Sequence, residues 1–358
     1  MFFYFLCQTT NSPRGYSLQR NNIMALQKKG ILLVNLGTPD EPTWNGLRRY
    51  LNQFLTDRRV IDIPWLFRNM LFKGIVVPIR SRKVSKLYEE LWIDEGSPLK
   101  VYGQRIADGV QEILGDEYHV ELAMRYQNPS IESAIDRLRE SHVSEIVVFP
   151  LFPQYASATT GSVFEEVMDI MKKKEQIPSM RFINSYYDNP AVIKLYAEKA
   201  RQYALEDYDH YIFSFHGVPK RYLKKENNYC KCDGVCCQTI VLANQFCYSA
   251  QCHQSAYLIA DELGLPRDKM TVSYQSRFGP EEWIQPYTDK VIEENLEKGN
   301  KNLLVFSPAF VADCLETTIE IGVEYMEEFV EGGGEKLHLV ESLNDDPRWM
   351  KAIAEMVA

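Results

Sequence analysis

The chain has 358 residues, of which 45% are hydrophobic and 25% charged, and its formal net charge is −9. A chain of this length can bury an ample core without disulfide or metal staples, and it leaves room for two domains. The acidic balance argues against a nucleic-acid-binding surface, and no apolar run approaches the roughly 20 residues that a membrane span needs.

Residues 1–29 read as an N-terminal extension outside the fold. Met1–Cys7 (MFFYFLC) is apolar, but no basic start precedes it and no small-residue cleavage site follows, as an export signal would require. Residues 8–23 are polar and irregular, and Met24 opens MALQKKGILLVNLG as a natural start ahead of a strand. The first 23 residues are therefore expected to be disordered or to reflect start-codon choice. Without an export signal, the expected compartment is the reducing cytoplasm.

From Gly30 onward, strand-like and helix-like patterns alternate. Gly30–Leu36 reads as a strand, Leu99–Leu114 as a helix after Ser97 and Pro98, and Tyr118–Met124 as a strand. Ser130–Ser141 reads as a helix with Ser130 as its N-cap, and Glu145–Phe149 as a buried strand. The second half repeats the rhythm: strand His210–Phe215, helix Ser255–Leu263, strand Met270–Tyr274, helix Glu281–Glu297, strand Asn302–Ser307, and a final helix over 346–358. This alternation favours parallel sheets flanked by helices.

A faint internal repeat points the same way. LLVNLGTP (Leu32–Pro39) echoes IFSFHGVP (Ile212–Pro219), and VVFPLFP (Val147–Pro153) echoes VFSPAFV (Val305–Val311). Both pairs in the same order predict two doubly wound α/β domains facing each other, over 30–185 and 186–345. Ligands of such folds gather at the carboxyl ends of the strands. Leu36–Pro39, Pro150–Tyr155, His216–Pro219 and Pro308–Glu316 are thus expected around one cleft. Neither G-x-G-x-x-G after the first strand nor a P-loop is present, so the ligand is not read as a nucleotide.

Four groups of residues could carry chemistry. His216 ends a strand before Gly217, where an imidazole can act as base or metal ligand, or simply as a bonded core histidine. Asp313, Glu316, Glu320 and Glu324 fall at spacings of three and four, along one helical stripe. Such carboxylates suit a loosely held divalent cation, although acidic stripes are also common on solvated surfaces. Between Arg58 and Lys86, the cations Arg59, Arg68, Lys73, Arg80, Arg82 and Lys83 are interleaved with Trp65, Phe67, Met70, Leu71, Phe72, Ile75 and Val76. That segment could form a lip for a flat apolar ligand bearing carboxylates, rest on an anionic membrane, or pack on its own domain. Finally, six cysteines crowd between Cys230 and Cys252: Cys230, Cys232, Cys236, Cys237, Cys247 and Cys252. Thiolates crowded in a cytosolic loop suit zinc or an iron–sulfur cluster, and the spacing matches neither zinc ribbons nor ferredoxin runs.

Eight segments together resemble the ferrochelatase family: LLVNLGTPDEP (32–42), FLTDRRVID (54–62), GSPL (96–99), AMRYQNPSI (123–131), VVFPLFPQYASATTGS (147–162), SFHGVPKRY (214–222), YQSRFGPEEWIQPYT (274–288) and SPAFVADCLETTIEI (307–321). The resemblance runs from Gly30 to Val357. It implies two Rossmann-like, doubly wound parallel-sheet domains enclosing a porphyrin cleft. The implied reaction is insertion of ferrous iron into protoporphyrin IX, the final step of haem synthesis.

His216 and Glu316 match the family's active-site pair, assigned to iron binding and to removal of pyrrole protons, and Glu320 and Glu324 match an acidic row that can hold metal. Leu36, Gly37, Thr38 and Pro39 match the first porphyrin-contacting loop. Arg59, Tyr155, Ser157, Thr160, Ser276, Arg277 and Phe278 are implied as further porphyrin contacts, with Gly161 and Ser162 beside them. The cysteine-rich insert, 228–252, departs from compact bacterial members and resembles those holding a two-iron two-sulfur (2Fe–2S) cluster. The implied ligands are Cys230, Cys236, Cys237 and Cys247, with Cys232 in reserve; Cys252 falls in a core helix. Peripheral contact with the inner membrane surface follows from the basic apolar lip. Competing readings are a chelatase for coproporphyrin or another tetrapyrrole or metal, and a non-catalytic porphyrin or haem carrier.

Overall fold

The computed structural model describes residues 28–225, 229–232 and 234–358, so the expected disorder of the first 23 residues lies outside the described residues. The first half comprises β1 (Lys29–Gly37), α1 (Trp44–Thr56), α2 (Trp65–Leu71), a π-helical turn (Phe72–Val76), α3 (Val77–Leu91), α4 (Pro98–Leu114), β2 (Tyr118–Tyr126), α5 (Ile131–Glu140) and β3 (Glu145–Pro150). A second π-helical turn (Ser157–Gly161), α6 (Ser162–Met171), β4 (Ser179–Phe182) and α7 (Pro190–Ala200) follow. The second half holds β5 (His210–His216), α8 (Lys220–Lys224), α9 (Tyr248–Leu263), β6 (Met270–Gln275), α10 (Thr288–Glu297) and β7 (Asn302–Phe306). A long π-helix (Leu315–Tyr325), α11 (Met326–Glu331), β8 (Lys336–Leu339) and α12 (Pro347–Val357) complete it.

The eight strands form two four-stranded parallel sheets of the same order, β2-β1-β3-β4 and β6-β5-β7-β8. The internal echo is therefore structural, because the repeated segments end the two central strands of each sheet. Ile31–Val34 and Ile212–Phe213 are fully buried, as expected of central parallel strands covered by helices on both faces. In each sheet the chain reverses its winding direction between the two central strands. Ligand crevices open at such points, beyond the carboxyl ends.

Local signals account for several boundaries. Ser130 accepts from the Ser133 N–H at 3.2 Å and caps α5. Pro98 opens α4, and Gly264 (φ +69°) ends α9 in the left-handed conformation. Two expected helices are corrected. The one placed over Glu281–Glu297 begins only at Thr288, because Pro286 restricts Gln285 and withholds a backbone N–H, leaving residues 281–287 as a loop. The one placed over Ser255–Leu263 begins at Tyr248, so the last residues of the cysteine insert are already helical.

The acidic stripe is also redrawn. Glu316, Glu320 and Glu324 lie on a π-helix rather than an α-helix, and Asp313 precedes it, its carboxylate accepting from Asn344 at 2.9 Å. Among the described residues, no helix is long and apolar enough to cross a membrane.

Gly37 ends β1 with φ +116°, and a Cβ there would stand 2.1 Å from the Tyr126 carbonyl oxygen of β2. Neither the conformation nor the contact tolerates a side chain. Gly37→Ala is expected to lower stability by about 2–3 kcal/mol, measured as a lower urea midpoint at unchanged slope.

Candidate active site

The loops beyond the central strands enclose a cavity of about 630 Å³. Leu36, Gly37 and Thr38 contribute from β1, and Leu151, Phe152 and Gln154 from β3. His216–Pro219 contribute from β5, and Ala309–Ala312 with Cys314–Glu316 from β7. The four segments expected around one cleft thus meet. The lip adds Ile61, Ile63, Leu71, Phe72 and Arg80, and the loop after β6 adds Ser276, Arg277 and Phe278. All three π-helical segments touch this space, through Phe72, through Ala158 and Thr159, and through Leu315, Glu316 and Glu320. π-Helical turns are rare and concentrate at functional sites.

His216 is the last residue of β5, half-buried, with its Nδ1 2.7 Å from the Gly217 carbonyl oxygen. A carbonyl can only accept, so Nδ1 carries a proton, and the tautomer this bond selects is the one with its lone pair on Nε2. Its ring stands 6.4 Å from that of Trp283, another cavity residue.

The Glu316 carboxylate lies among Tyr50, Tyr88, Cys314 and Arg80. Burial holds the Tyr50 and Tyr88 phenols well above their ordinary range, with the Glu316 charge contributing at both. Burial and the Glu316 charge likewise raise the Cys314 thiol. Desolvation at the mouth lowers the Arg80 guanidinium, and Glu316 partly offsets it. Arg80 also sits 4.8 Å over the Phe278 ring. Tyr50 and Tyr88 belong to no spacing pattern and are gathered only by folding, whereas Cys314 and Trp283 fall within SPAFVADCLETTIEI and YQSRFGPEEWIQPYT.

Glu320 is a brace as well as a lining residue. It accepts from the Ser276 N–H at 3.0 Å, from the Ser276 hydroxyl, and from the Tyr325 hydroxyl at 2.9 Å. These bonds hold Ser276 in the left-handed region (φ +62°), where a non-glycine residue is strained. Glu324, one turn on, is exposed; partial desolvation and the charges of Glu320 and Glu328 raise its carboxyl.

Of the other expected contacts, Pro39, Arg59, Tyr155, Ser157 and Thr160 are not among the residues that line the cavity. Arg59 is engaged by Glu165 and donates to the Ser157 hydroxyl at 3.0 Å, and Thr160 is fully buried. Arg68 is turned inward from the lip and donates to the carbonyls of Ile61 and Ile63. Asp62 pins the lip to the second half, accepting from Arg221 and Lys225 of the α8 region, while Tyr222 donates to the Val60 carbonyl at 2.7 Å. Trp65, Leu66, Phe67, Met70, Ile75 and Ile79 stay more than half exposed.

In the insert, the Cys230 and Cys232 sulfurs are 3.4 Å apart, and Cys237 lies 3.8 Å from Nε2 of His253. Burial raises the Cys230, Cys237 and Cys247 thiols, and the charges of Cys232, Cys236 and Cys247 act among them. Among the described residues, no three histidine, cysteine or acidic side chains converge closely enough to hold a metal ion as they stand. Cys252 is fully buried in α9, in the same apolar cluster as Cys237 and Cys247.

Two parallel sheets with their carboxyl ends turned on a common cavity form the chelatase fold. The structure resembles SirB from Bacillus subtilis with Fe3+, at TM-score 0.53 and 12% identity over 92% of this chain and 94% of that one. The sirohydrochlorin chelatase SirB from Bacillus subtilis subspecies spizizenii in complex with cobalt gives 0.52 at 10% identity, again over 92% and 94% of the two chains. Within that fold, the family model described as Ferrochelatase matches residues 28–358. The chain is 42% identical to a ferrochelatase of Legionella pneumophila (strain Lens), over 92% of this chain and 98% of the relative. It is 41% identical to one of Coxiella burnetii (strain Dugway 5J108-111), over 95% and 97%. The chain belongs to the ferrochelatase family.

The cavity wall rests on Asp57, at the end of α1. Burial alone would raise its carboxyl, but the Ser162 hydroxyl, the Arg59 N–H, the Arg125 charge and the Tyr126 hydroxyl together hold it below the usual range. A depressed folded value stabilises the protein above the unfolded pKa of ~3.9 and ceases to as pH falls through the folded value. Asp57→Asn should therefore cost about 2–3 kcal/mol at neutral pH, with the gap to the parent closing below about pH 4 in urea titrations run across pH.

Proposed function

We propose that this chain inserts ferrous iron into protoporphyrin IX, forming protohaem and releasing two protons, as the final step of haem synthesis. The observation that carries this reading is that His216 and Glu316, from different strand ends, line one largely apolar cavity. The two sheets with their flanking helices are taken as two units, 30–185 and 186–345, with the C-terminal helix over 346–358.

A porphyrin keeps its lone pairs in the ring plane and two N–H protons at its centre. Metallation therefore needs a bent ring, a base and a cation stripped of water. Leu36, Gly37 and Thr38 on one side and Ser276, Arg277 and Phe278 on the other are assigned to the ring. Arg80 and Arg277 at the mouth suit its carboxylates. Pro39, Arg59, Tyr155, Ser157 and Thr160 are assigned to the same porphyrin-binding set. Binding energy from the periphery can hold a substrate distorted by about 1–5 kcal/mol. His216, with its proton on Nδ1, presents Nε2 as acceptor for the pyrrole protons. Glu316 offsets the charge of the incoming ferrous ion, and Glu320 and Glu324 continue the acidic path outward. No electron is transferred.

The insert is assigned to a 2Fe–2S cluster held by Cys230, Cys236, Cys237 and Cys247, with Cys232 in reserve. The crowding of cysteines in one short segment supports the assignment, as does their soft donor chemistry. When bound, the cluster would cross-link the insert. The protein is placed in the cytoplasm. Its exposed apolar lip, flanked by Arg58, Lys73, Arg82 and Lys83, suits peripheral contact with the anionic inner membrane surface.

His216→Ala should lower ferrous insertion by roughly 10²–10⁴-fold with melting unchanged; near-normal turnover in that variant would remove His216 from the reaction. Assays with protoporphyrin and coproporphyrin side by side test the substrate, and binding without metallation of either would make the protein a carrier. Cys236→Ser should bleach the visible absorbance of the purified protein. A colourless parent that contains zinc would reject the iron–sulfur assignment.

A further inference from the structure

Among the described residues, three arginines line the cavity: Arg80 on α3, Arg221 on α8 and Arg277 on the loop after β6. A guanidinium takes a new carboxylate through whichever of its N–H groups are still free, so its existing partners decide what it can bind. All three nitrogens of Arg221 are committed. Nη1 meets Asp62, and Nε and Nη2 donate to the two oxygens of Glu281 at 2.5 and 3.1 Å. Among the described residues, Arg277 commits Nη2 alone, to Asp289 in the first turn of α10 at 2.9 Å. Arg80 has no ion-pair partner among them; it lies over the Phe278 ring, and Glu316 acts on it through its charge. Exposure does not separate Arg221 from Arg277, at 38% and 45% of their side chains, but their partners do.

Backbone register delivers Glu281 to Arg221. Pro219 and Trp283 form an antiparallel bridge, the Lys220 N–H donates to the Glu282 carbonyl at 2.9 Å, and the Ile284 N–H donates to that of Val218 at 3.0 Å. Lys220 and Arg221 therefore face Glu282 and Glu281 one for one, and both pairs are joined as ion pairs. Of the two, the Arg221–Glu281 pair lines the cavity and the Lys220–Glu282 pair does not. The bond to Glu281 above all, with that to Asp62, raises the Arg221 guanidinium above its ordinary range. The open guanidinium groups meet at Phe278, Arg80 on its ring and Arg277 beside it in the chain. Two substrate carboxylates can therefore be matched by free donors. A third or fourth would meet apolar lining or the negative charge of Glu281, and like-charge contact of that kind suppresses a wrong partner.

We propose that Glu281 is a specificity-determining residue: by occupying Arg221 it limits the cavity to two open guanidinium groups, Arg80 and Arg277, and so selects a porphyrin with two carboxylates over one with four. The proposal rests on the reading of the cavity as the porphyrin site and names the feature of the ring's periphery that the site counts.

The test uses the full chain with protoporphyrin IX and coproporphyrin III, and reads the Kd of each free porphyrin by fluorescence as well as kcat/KM for ferrous insertion. The parent should favour protoporphyrin IX. Glu281→Gln keeps the size of the side chain and removes its charge. It should move the preference toward coproporphyrin III by roughly 3–10-fold, through Kd and KM rather than kcat. Glu282→Gln releases Lys220 outside the cavity and should keep the parental preference. In the double variant Arg221→Gln/Glu281→Gln the shift should vanish, because the freed guanidinium is then missing. An unmoved preference in Glu281→Gln overturns the proposal, as does an equal shift in Glu282→Gln, a shift that survives in the double variant, or a parent that binds both porphyrins alike. If Glu281→Gln folds poorly, protoporphyrin binding decides: Arg277→Gln should weaken it by about 5–10-fold and Arg221→Gln by less than about 2-fold, and equal losses overturn the proposal. A parent that binds with the expected preference but metallates neither porphyrin defeats the functional reading, while the Kd shifts still decide the role of Glu281.

Discussion

The architecture depends on one constraint: two parallel sheets of the same strand order turn the carboxyl ends of their central strands toward a single space. A parallel strand buried on both faces can offer reactive groups only where it stops. His216 is placed at such a stop, and Glu316 lies on the loop and π-helix that follow another. The glycine that closes β1 against the Tyr126 carbonyl belongs to the same geometry, because the loop must leave the sheet at once to form part of the cavity edge.

Around that space the helices are distorted rather than ideal. Each of the three π-helical segments contributes residues to the cavity, and each inserts extra backbone where a regular helix would pack past it. The longest carries Glu316 and Glu320. Glu320 is spent largely on holding Ser276 in its strained conformation, whereas Glu316 sits among phenols, a thiol and a guanidinium that respond to its charge. Two carboxylates four positions apart therefore have different duties, set by their surroundings.

Two additions to the core are tied to the site by specific bonds. The lip is latched to the second half by Asp62, which faces Arg221 and Lys225, while its outer apolar face stays uncovered. The insert runs into α9, and Cys247 is the N-cap residue of the helix whose first residue, Tyr248, donates to the His216 carbonyl. The lip is distant from both His216 and Glu316 along the chain, whereas the insert, from residue 228, begins twelve residues after His216.

Strand ends, the repeated half, the Ser130 cap and the convergence of His216 with Glu316 were all legible in the sequence. Each rests on local periodicity, on a residue with one dominant backbone preference, or on family motifs read in order. The rest was decided by tertiary structure. Pro286 removed about two turns from a helix that amphipathicity alone would have extended, and Asn344 drew Asp313 out of the acidic row. Arg68 left the basic face to satisfy two carbonyls, and Arg59 was taken by Glu165. Tyr50, Tyr88, Trp283 and Tyr248 met the cavity from four separate segments. Periodicity tells a side chain which face of its own element it occupies. Which distant group it then meets depends on how the elements pack, and that pairing has no local signature in the chain.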